Sequence, residues 1–534
     1  MLQWLRWLGR HKPKAGRCRK WSSRFVGVEV LEHRELLTCF VSCVDHDDHD
    51  PHSDDHHDHQ DEIVVTARGS YYIDDGFVID DLDDHVGHSE HTEPDGHSTS
   101  SEVGASLPPP IDIDDVPVYH SNPDADQKIY LDFNGHRVSG TGWNDNNDGR
   151  VIVAPAFDND GDSTTFSSAE QSAIRRIWQR VAEDFAPFDL DVTTEAPSSR
   201  DFRIGRKAIR VLISSNIDEA TGNRWFDTAG GVAYIGSWRW RSDTPVWVFE
   251  NNLGGQEKRI AEAASHEIGH AFGLHHDGIR GGEEYFEGHG SGRTGWAPIM
   301  GAGYSRQVTQ WDRGEYENSD NRENDLSIIA SSANAISYRA DDYSSSRSRA
   351  HRLEPTDEQL LEATGLIHRS SDRDMFVFET GQGEVDFDID GVRYGSNLDL
   401  MVSLYADDGT LLEEFNPISR LNVDINIELD AGEYYLEVEG VGFGDPAEQG
   451  YSSYGSLGQY TITGRVVETM AAAATPLVAV AEARQAALVR WNEEQRARLE
   501  MLQSQLAIAI EQSDDGSEKL MLIQFLIQSF HALG

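Results

Sequence analysis

One segment in the middle of the chain contains every polar group that a hydrolytic zinc site needs. On a helix, His266 and His270 lie four residues apart, so both imidazoles leave the same face and can bind one Zn²⁺. Glu267 lies beside the first of them, where its carboxylate can accept a proton from a water molecule on the metal. Gly273 lets the chain leave the helix, so that His276 turns back as the third ligand. Three protein ligands leave one position open, which is typical of catalytic zinc.

The pattern His-Glu-x-x-His-x-x-Gly-x-x-His resembles the zinc motif of the metzincin metallopeptidases. Gly269 and Asp277 also match the reprolysin (adamalysin-like) variant of that motif. Metzincins carry a methionine turn below the zinc, and Met300 lies 24 residues after His276, in the stretch Trp-Ala-Pro-Ile-Met-Gly. A thioether can pack under imidazoles without competing for the metal. The resemblance therefore implies that Met300 forms this turn and that Asp277 braces the loop after the third ligand.

The same resemblance implies a mechanism. Zn²⁺ on the three histidines would activate a water molecule and polarise the scissile carbonyl, and Glu267 would act as general base before passing the proton to the leaving amine. An extended substrate would pair with the edge strand Gly231–Ile235. Tyr304 is the candidate oxyanion stabiliser, although it follows Met300 by four residues and the families with such a tyrosine place it two residues after the methionine.

The elements that must position these residues begin at about residue 118. A capping box of Ser167 and Glu170 predicts the start of a helix. The zinc helix is predicted from Glu257 to Gly273, and a last helix from the cap at Asn324 and Asp325 through Ile336. Strands are predicted at Lys128–Phe133, Leu190–Thr194, Ala208–Ser214, Gly231–Ser237 and Pro245–Glu250. This order resembles an α+β metzincin catalytic domain over 118–340, with a mixed five-stranded sheet and an active-site helix.

An acidic loop before the first helix is a candidate calcium site. Asp158, Asp160 and Asp162 offer alternate oxygen ligands of the kind that Ca²⁺ prefers. The EF-hand pattern is not met, and turn formation alone also accounts for Asn, Asp and Gly in such a loop. Both interpretations remain open from the sequence.

Residues 341–466 alternate apolar and polar side chains between Gly- and Asp-rich turns, which predicts a β-sandwich. The runs Asp374–Phe378 and Asp430–Leu436 resemble the bacterial pre-peptidase C-terminal domain, a family that accompanies secreted peptidases. We expect a passive accessory fold here, with a specific binding module as the alternative. Residues 467–534 predict a helical hairpin that packs on the body or makes a dimer contact.

Charge and hydropathy exclude several classes of function. The chain has 45 Lys and Arg against 93 Asp and Glu, a net charge of -48, which argues against nucleic acid and anionic membranes as partners. It has no run of 18 apolar residues and hence no ordinary transmembrane segment. The body of the chain lacks cysteine, since Cys18, Cys39 and Cys43 all lie near the start. A cysteine-switch latency mechanism would therefore need Cys39 or Cys43.

The first 117 residues fall into two parts. Residues 1–43 form a basic leader in which 31–37 resemble the export leader of one bacterial group, with His33 in place of its proline; a basic disordered tail is the alternative. Residues 44–117 are acidic and rich in His and Asp at their start, which predicts a disordered linker or a pro-segment.

The sequence as a whole predicts a secreted zinc endopeptidase that acts on protein or peptide substrates. A catalytically inactive, metzincin-like surface binding protein is the alternative, but Glu267 and all three histidines are present. A third hypothesis, metal sequestration by residues 44–62, leaves the ordered zinc motif unexplained.

Overall fold

The computed structural model describes residues 108–356 and 359–469, together with the backbone of two short strands at 64–65 and 71–74. Through residue 350 the strands are β1 (Val64–Val65), β2 (Tyr71–Asp74), β3 (Ile111–Asp112), β4 (Lys128–Asp132), β5 (His136–Val138), β6 (Ile152–Ala154), β7 (Thr165–Phe166), β8 (Asp191–Thr193), β9 (Ala208–Ser214), β10 (Ile217–Asp218), β11 (Asn223–Arg224), β12 (Gly231–Tyr234), β13 (Val246–Phe249), β14 (Trp296–Pro298) and β15 (Val308–Gln310). The helices are α1 (Gly142–Asn146), α2 (Ser168–Asp184), α3 (Glu257–Phe272) and α4 (Asp325–Ile329).

A mixed sheet forms the centre of this part, in the order β1-β2-β12-β13-β9-β4-β8. Strands β13, β9, β4 and β8 run parallel to one another, whereas β12 is antiparallel to β13. Apolar side chains alternate between the two faces, as Val248 packs with α2 and α3 while Trp247 packs with Trp143 on the opposite face. The mixed sheet and its five predicted strands are confirmed, and β1 and β2 extend it to seven.

The prediction that Gly231–Ile235 forms a free edge is wrong in this structure. Strand β2 pairs with β12 in antiparallel register, with Asp74 opposite Val232 and Ile73 opposite Ala233. Strand β1 then pairs with β2 and is the outermost strand. Sequence periodicity did not indicate this contact, because it joins segments more than 150 residues apart.

The two long helices begin and end where the local sequence requires. Helix α2 has the predicted capping box, in which the Glu170 carboxylate accepts from the Ser167 amide at 2.8 Å.

The last helix, α4, is shorter than predicted and ends at Ile329. Its continuation is blocked because the Asn334 side-chain amide donates to the Ile328 carbonyl at 2.9 Å. Ile336 is buried, but it lies outside the helix.

Residues 351–465 form the predicted β-sandwich. Its strands are β16 (His351–Arg352), β17 (Leu360–Ile367), β18 (Asp374–Thr380), β19 (Gly383–Gly391), β20 (Leu400–Ala406), β21 (Leu411–Phe415), β22 (Val423–Leu429), β23 (Gly432–Gly440) and β24 (Gly458–Arg465). They form two sheets, ordered β16-β18-β23-β20-β21 and β17-β24-β19-β22. Within the described residues, no helix is long and apolar enough to cross a membrane. The leader and the helical hairpin predicted over 467–534 lie outside the described residues, apart from 467–469.

Candidate metal centre

Helix α3 and the turn that ends it bring the three predicted ligands together. His266 and His270 lie on one face of the helix, with ring centroids 4.8 Å apart. Gly273 ends the helix in the left-handed region (φ 109°), which a residue with a side chain rarely adopts. The chain then returns, so that the Nε2 atoms of His270 and His276 lie 3.0 Å apart. One ligand atom from each histidine lies within 4.8 Å of the others, and all three side chains are buried.

The environment of each imidazole assigns its nitrogens. The Nδ1 atoms of His266 and His270 contact the carbonyl oxygens of Ile299 (2.9 Å) and Leu274 (2.8 Å). Because a carbonyl only accepts, both Nδ1 atoms must carry the proton, which leaves Nε2 as a lone-pair donor. The Nδ1 of His276 lies 2.9 Å from the Glu284 carboxylate, which is within ion-pair distance. Three convergent imidazoles whose second nitrogens face two carbonyls and a carboxylate are a donor set suited to Zn²⁺.

Glu267 lies in a small cavity beside these ligands. The cavity is lined by Gly230, Gly231, Ala263, His266, Glu267, Tyr285, Gly301, Ala302 and Tyr304. Strand β12 passes so close to Glu267 that a Cβ on Gly231 would lie 2.5 Å from its Oε1 atom. Only glycine therefore leaves room for the carboxylate at this position.

The methionine turn lies against the zinc helix. Met300 is fully buried, and a Cβ added to Gly269 would lie 2.4 Å from its Sδ atom. The Asp277 amide donates to the Met300 carbonyl at 2.8 Å, so the turn also holds the loop after the third ligand. Burial raises the pKa of the Asp277 carboxyl well above its ordinary value, and the negative charges of Asp312 and Glu323 raise it further.

Tyr304 lies in the same cavity as Glu267, as the sequence prediction requires. The Lys258 ammonium of α3 holds this segment by donating to the carbonyls of Gly303 (3.1 Å) and Tyr304 (3.2 Å). A second tyrosine was not predicted: the Tyr285 ring lies 4.4 Å from the His276 ring, centroid to centroid. Neither Tyr285 nor Glu284 lies in a motif, and we find no signal in the sequence that would have identified them.

The predicted calcium ligands are not brought together as a set. Asp158 and Asp160 have carboxylate oxygens within 4.8 Å of each other, but the third member of that cluster is Glu170. Asp162 instead accepts hydrogen bonds from the amide and hydroxyl of Thr164, at 3.1 and 2.6 Å. This loop therefore has the contacts of a turn, and calcium binding by Asp158, Asp160 and Asp162 stays a prediction.

Comparison with known proteins gives one family match. Residues 195–277 match the model of the reprolysin-like metallopeptidases of family M12B. No curated protein matches the chain. Among solved structures, the pre-peptidase C-terminal domain of a collagenase from Bacillus anthracis is 15% identical, with 24% of this chain and 98% of that chain covered at a TM-score of 0.17. The Aeromonas hydrophila inhibitor of g-type lysozyme, PliG, is 10% identical, with 22% and 94% covered at 0.17.

The matched residues run from before β9 to Asp277 and thus include β12, α3 and all three histidines. The family match and the geometry of the site centre on the same motif. The stretch that carries Glu267 and the three histidines is therefore similar to the reprolysin-like metallopeptidases of family M12B.

Proposed function

We propose that this chain is a secreted, zinc-dependent endopeptidase. The observation that carries the proposal is the convergence of three buried histidines, with one ring nitrogen of each within 4.8 Å of the others, beside Glu267, which shares a cavity with His266. Bound at these nitrogens, Zn²⁺ would supply an open coordination position, a water of lowered pKa and polarisation of the scissile carbonyl. Export is supported by the leader-like residues 31–37.

The side chains around the ligands have separate tasks. Glu267 accepts a proton from the attacking water on one carboxylate oxygen and delivers it to the leaving amine. Glu284 and the carbonyls of Ile299 and Leu274 keep the imidazoles in the tautomer that donates Nε2. The Tyr304 hydroxyl, which lines the same cavity, donates to the developing oxyanion.

An extended peptide would bind along β12, whose first residue, Gly231, lines the cavity. In the structure this strand already pairs with β2, so a substrate must displace β2 before its backbone can pair with Ala233. The segment at residues 71–74 thus occupies the position that an extended substrate would take.

The test is hydrolysis of casein by the full chain with and without a zinc chelator. We expect Glu267→Gln, which removes the base but keeps the shape, to lower kcat by at least ~100-fold while zinc stays bound. Glu287→Gln, a matched change at an exposed glutamate of the loop after His276, is expected to leave kcat unchanged. Equal activity of the wild type and Glu267→Gln would refute the mechanism. Zinc binding without hydrolysis of any peptide would instead support the inactive binding protein.

A further inference from the structure

A buried hydrogen-bond bridge joins the β-sandwich to the zinc helix. The Asn397 amide, in the loop between β19 and β20, donates to the Asp184 carboxylate at 2.7 Å. The other oxygen of Asp184 accepts from the Ser265 hydroxyl at 2.5 Å. Ser265 directly precedes the ligand His266 on α3. All three bridging side chains are at most 6% exposed, so the bridge is shielded from water.

A second route starts from the same residue of the sandwich. The backbone carbonyl of Asn397 accepts from the Gln310 side-chain amide at 2.5 Å. The backbone carbonyl of Gln310 accepts from the Ile299 amide at 2.9 Å, and the Ile299 carbonyl contacts Nδ1 of His266 at 2.9 Å. Asn397 is therefore connected to Ser265, which precedes His266, and to the Ile299 carbonyl, which contacts the ring of His266.

We propose that Asn397 of the β-sandwich is a positioning residue for the zinc ligand His266. The expected effect on kcat rests on the proposed function. The expected effect on zinc affinity does not. A positioning role for Asn397 also changes the expected role of the sandwich, since a passive accessory fold would not supply hydrogen bonds to the scaffold of a ligand.

The contacts distinguish this role from simple attachment of the two parts. Other contacts already join them, including the Glu183 carboxylate with the Gln459 amide at 3.0 Å and the Tyr454 hydroxyl with the side chain of Asn324 at 3.0 Å. The second of these contacts lies next to Glu323 in the chain, and through Asn321 it reaches only the backbone carbonyl of His276. A loss at Asn397 is therefore expected to change the position of His266 more than a loss at Gln459 or Tyr454, while the parts stay joined.

The experiment measures zinc affinity of the full chain, stripped of metal, by competition with a chromophoric chelator. Asn397→Ala removes the bridging amide but keeps the backbone carbonyl, and we expect a zinc affinity about tenfold weaker, the lower end for loss of an outer-shell partner. With zinc at saturation, kcat should fall while KM stays the same, because no described hydrogen bond joins the bridge to β12, where we propose that substrate binds. Asn426→Ala is the matched control, since its exposed amide contacts Glu384 and Asp386 on the surface of the sandwich.

A double-mutant cycle separates positioning from general destabilisation. Asn397→Ala and Ser265→Ala both break the bridge at Asp184, so the double variant should bind zinc no more weakly than the worse single variant. Unchanged zinc affinity in Asn397→Ala with a lowered Tm, or additive losses in the cycle, would overturn the proposal. If Asn397→Ala does not fold, Ser265→Ala tests the same bridge from α3. An unchanged zinc affinity in that variant would also overturn the proposal. Absence of hydrolysis in every variant, with the zinc result intact, would refute the proposed function alone.

Discussion

The contact between Gly269 and Met300 allows a quantitative test of how the site is packed. Gly269 is the residue between Glu267 and His270 that distinguishes the reprolysin variant of the motif. A Cβ at this position would lie 2.4 Å from the Met300 Sδ atom, 3.3 Å from its Cε atom and 3.4 Å from Leu274. The sulfur would have to move by about 1 Å to reach ordinary contact, and Met300 is fully buried.

Gly269→Ala should therefore destabilise the protein despite the higher helix propensity of alanine. Alanine in place of glycine inside a helix gains about 1 kcal/mol. Forcing a methyl group into a close-packed core costs about 1 to 3 kcal/mol. We expect a net loss of up to about 2 kcal/mol, measured as a shift in chemical denaturation with zinc bound.

The cycle with Met300→Ala tests the cause of that loss. Met300→Ala alone should cost about 2 to 5 kcal/mol because it leaves a cavity. In the double variant the methyl group introduced by Gly269→Ala enters that cavity, so the double variant should be at least ~1 kcal/mol more stable than the sum of the single effects predicts. Additive effects, or a Gly269→Ala variant more stable than wild type, would show that Met300 does not pack against α3 as described.

Three further predictions follow from the sheet and the sandwich. Gly231→Ala, whose Cβ would meet the Glu267 carboxylate, should lower kcat roughly 100-fold without loss of zinc, measured by casein hydrolysis and metal content. Ile73→Pro removes an amide from β2 and should raise the rate of hydrolysis, because β12 is uncovered; an unchanged rate would exclude β2 as a barrier. Burial raises the Asp399 pKa to about 7, so the stability it confers is full below pH ~4 and is lost as the pH rises to 7; Asp399→Asn should flatten that slope in pH-dependent denaturation.

The zinc ligands could be predicted from the sequence because their geometry is local. The spacing of His266 and His270 requires only a helix, and the return of His276 requires only that Gly273 adopt a positive φ, observed at 109°. The start of α2 was predictable for the same reason, since its capping box spans four residues. Each of these features depends on neighbours within one or two turns of the chain.

The features that were not predicted depend on contacts between distant segments. Gly231 makes room for Glu267 across 36 residues, and Glu284 reaches Nδ1 of His276 from a loop without regular structure. Glu170 was predicted only as a helix cap, yet its second oxygen also accepts from the Asn159 amide at 2.9 Å and so joins the acidic loop. A pattern in the sequence records which residues can perform a role, but not which of several candidates the fold selects.

Strand β2 shows why one of these omissions matters for activity. The resemblance to metzincins implied that β12 is an edge strand, and an edge strand has a free row of amides and carbonyls that can pair with another segment. These backbone groups can pair with an extended substrate, and they can equally pair with any other extended segment that is not already folded elsewhere. Because residues 71–74 belong to the same chain, their effective concentration at this edge exceeds that of a dilute substrate. A free peptide can therefore compete only if the segment is removed, or if its side chains bind the cavity beside Glu267 more tightly than the segment binds β12.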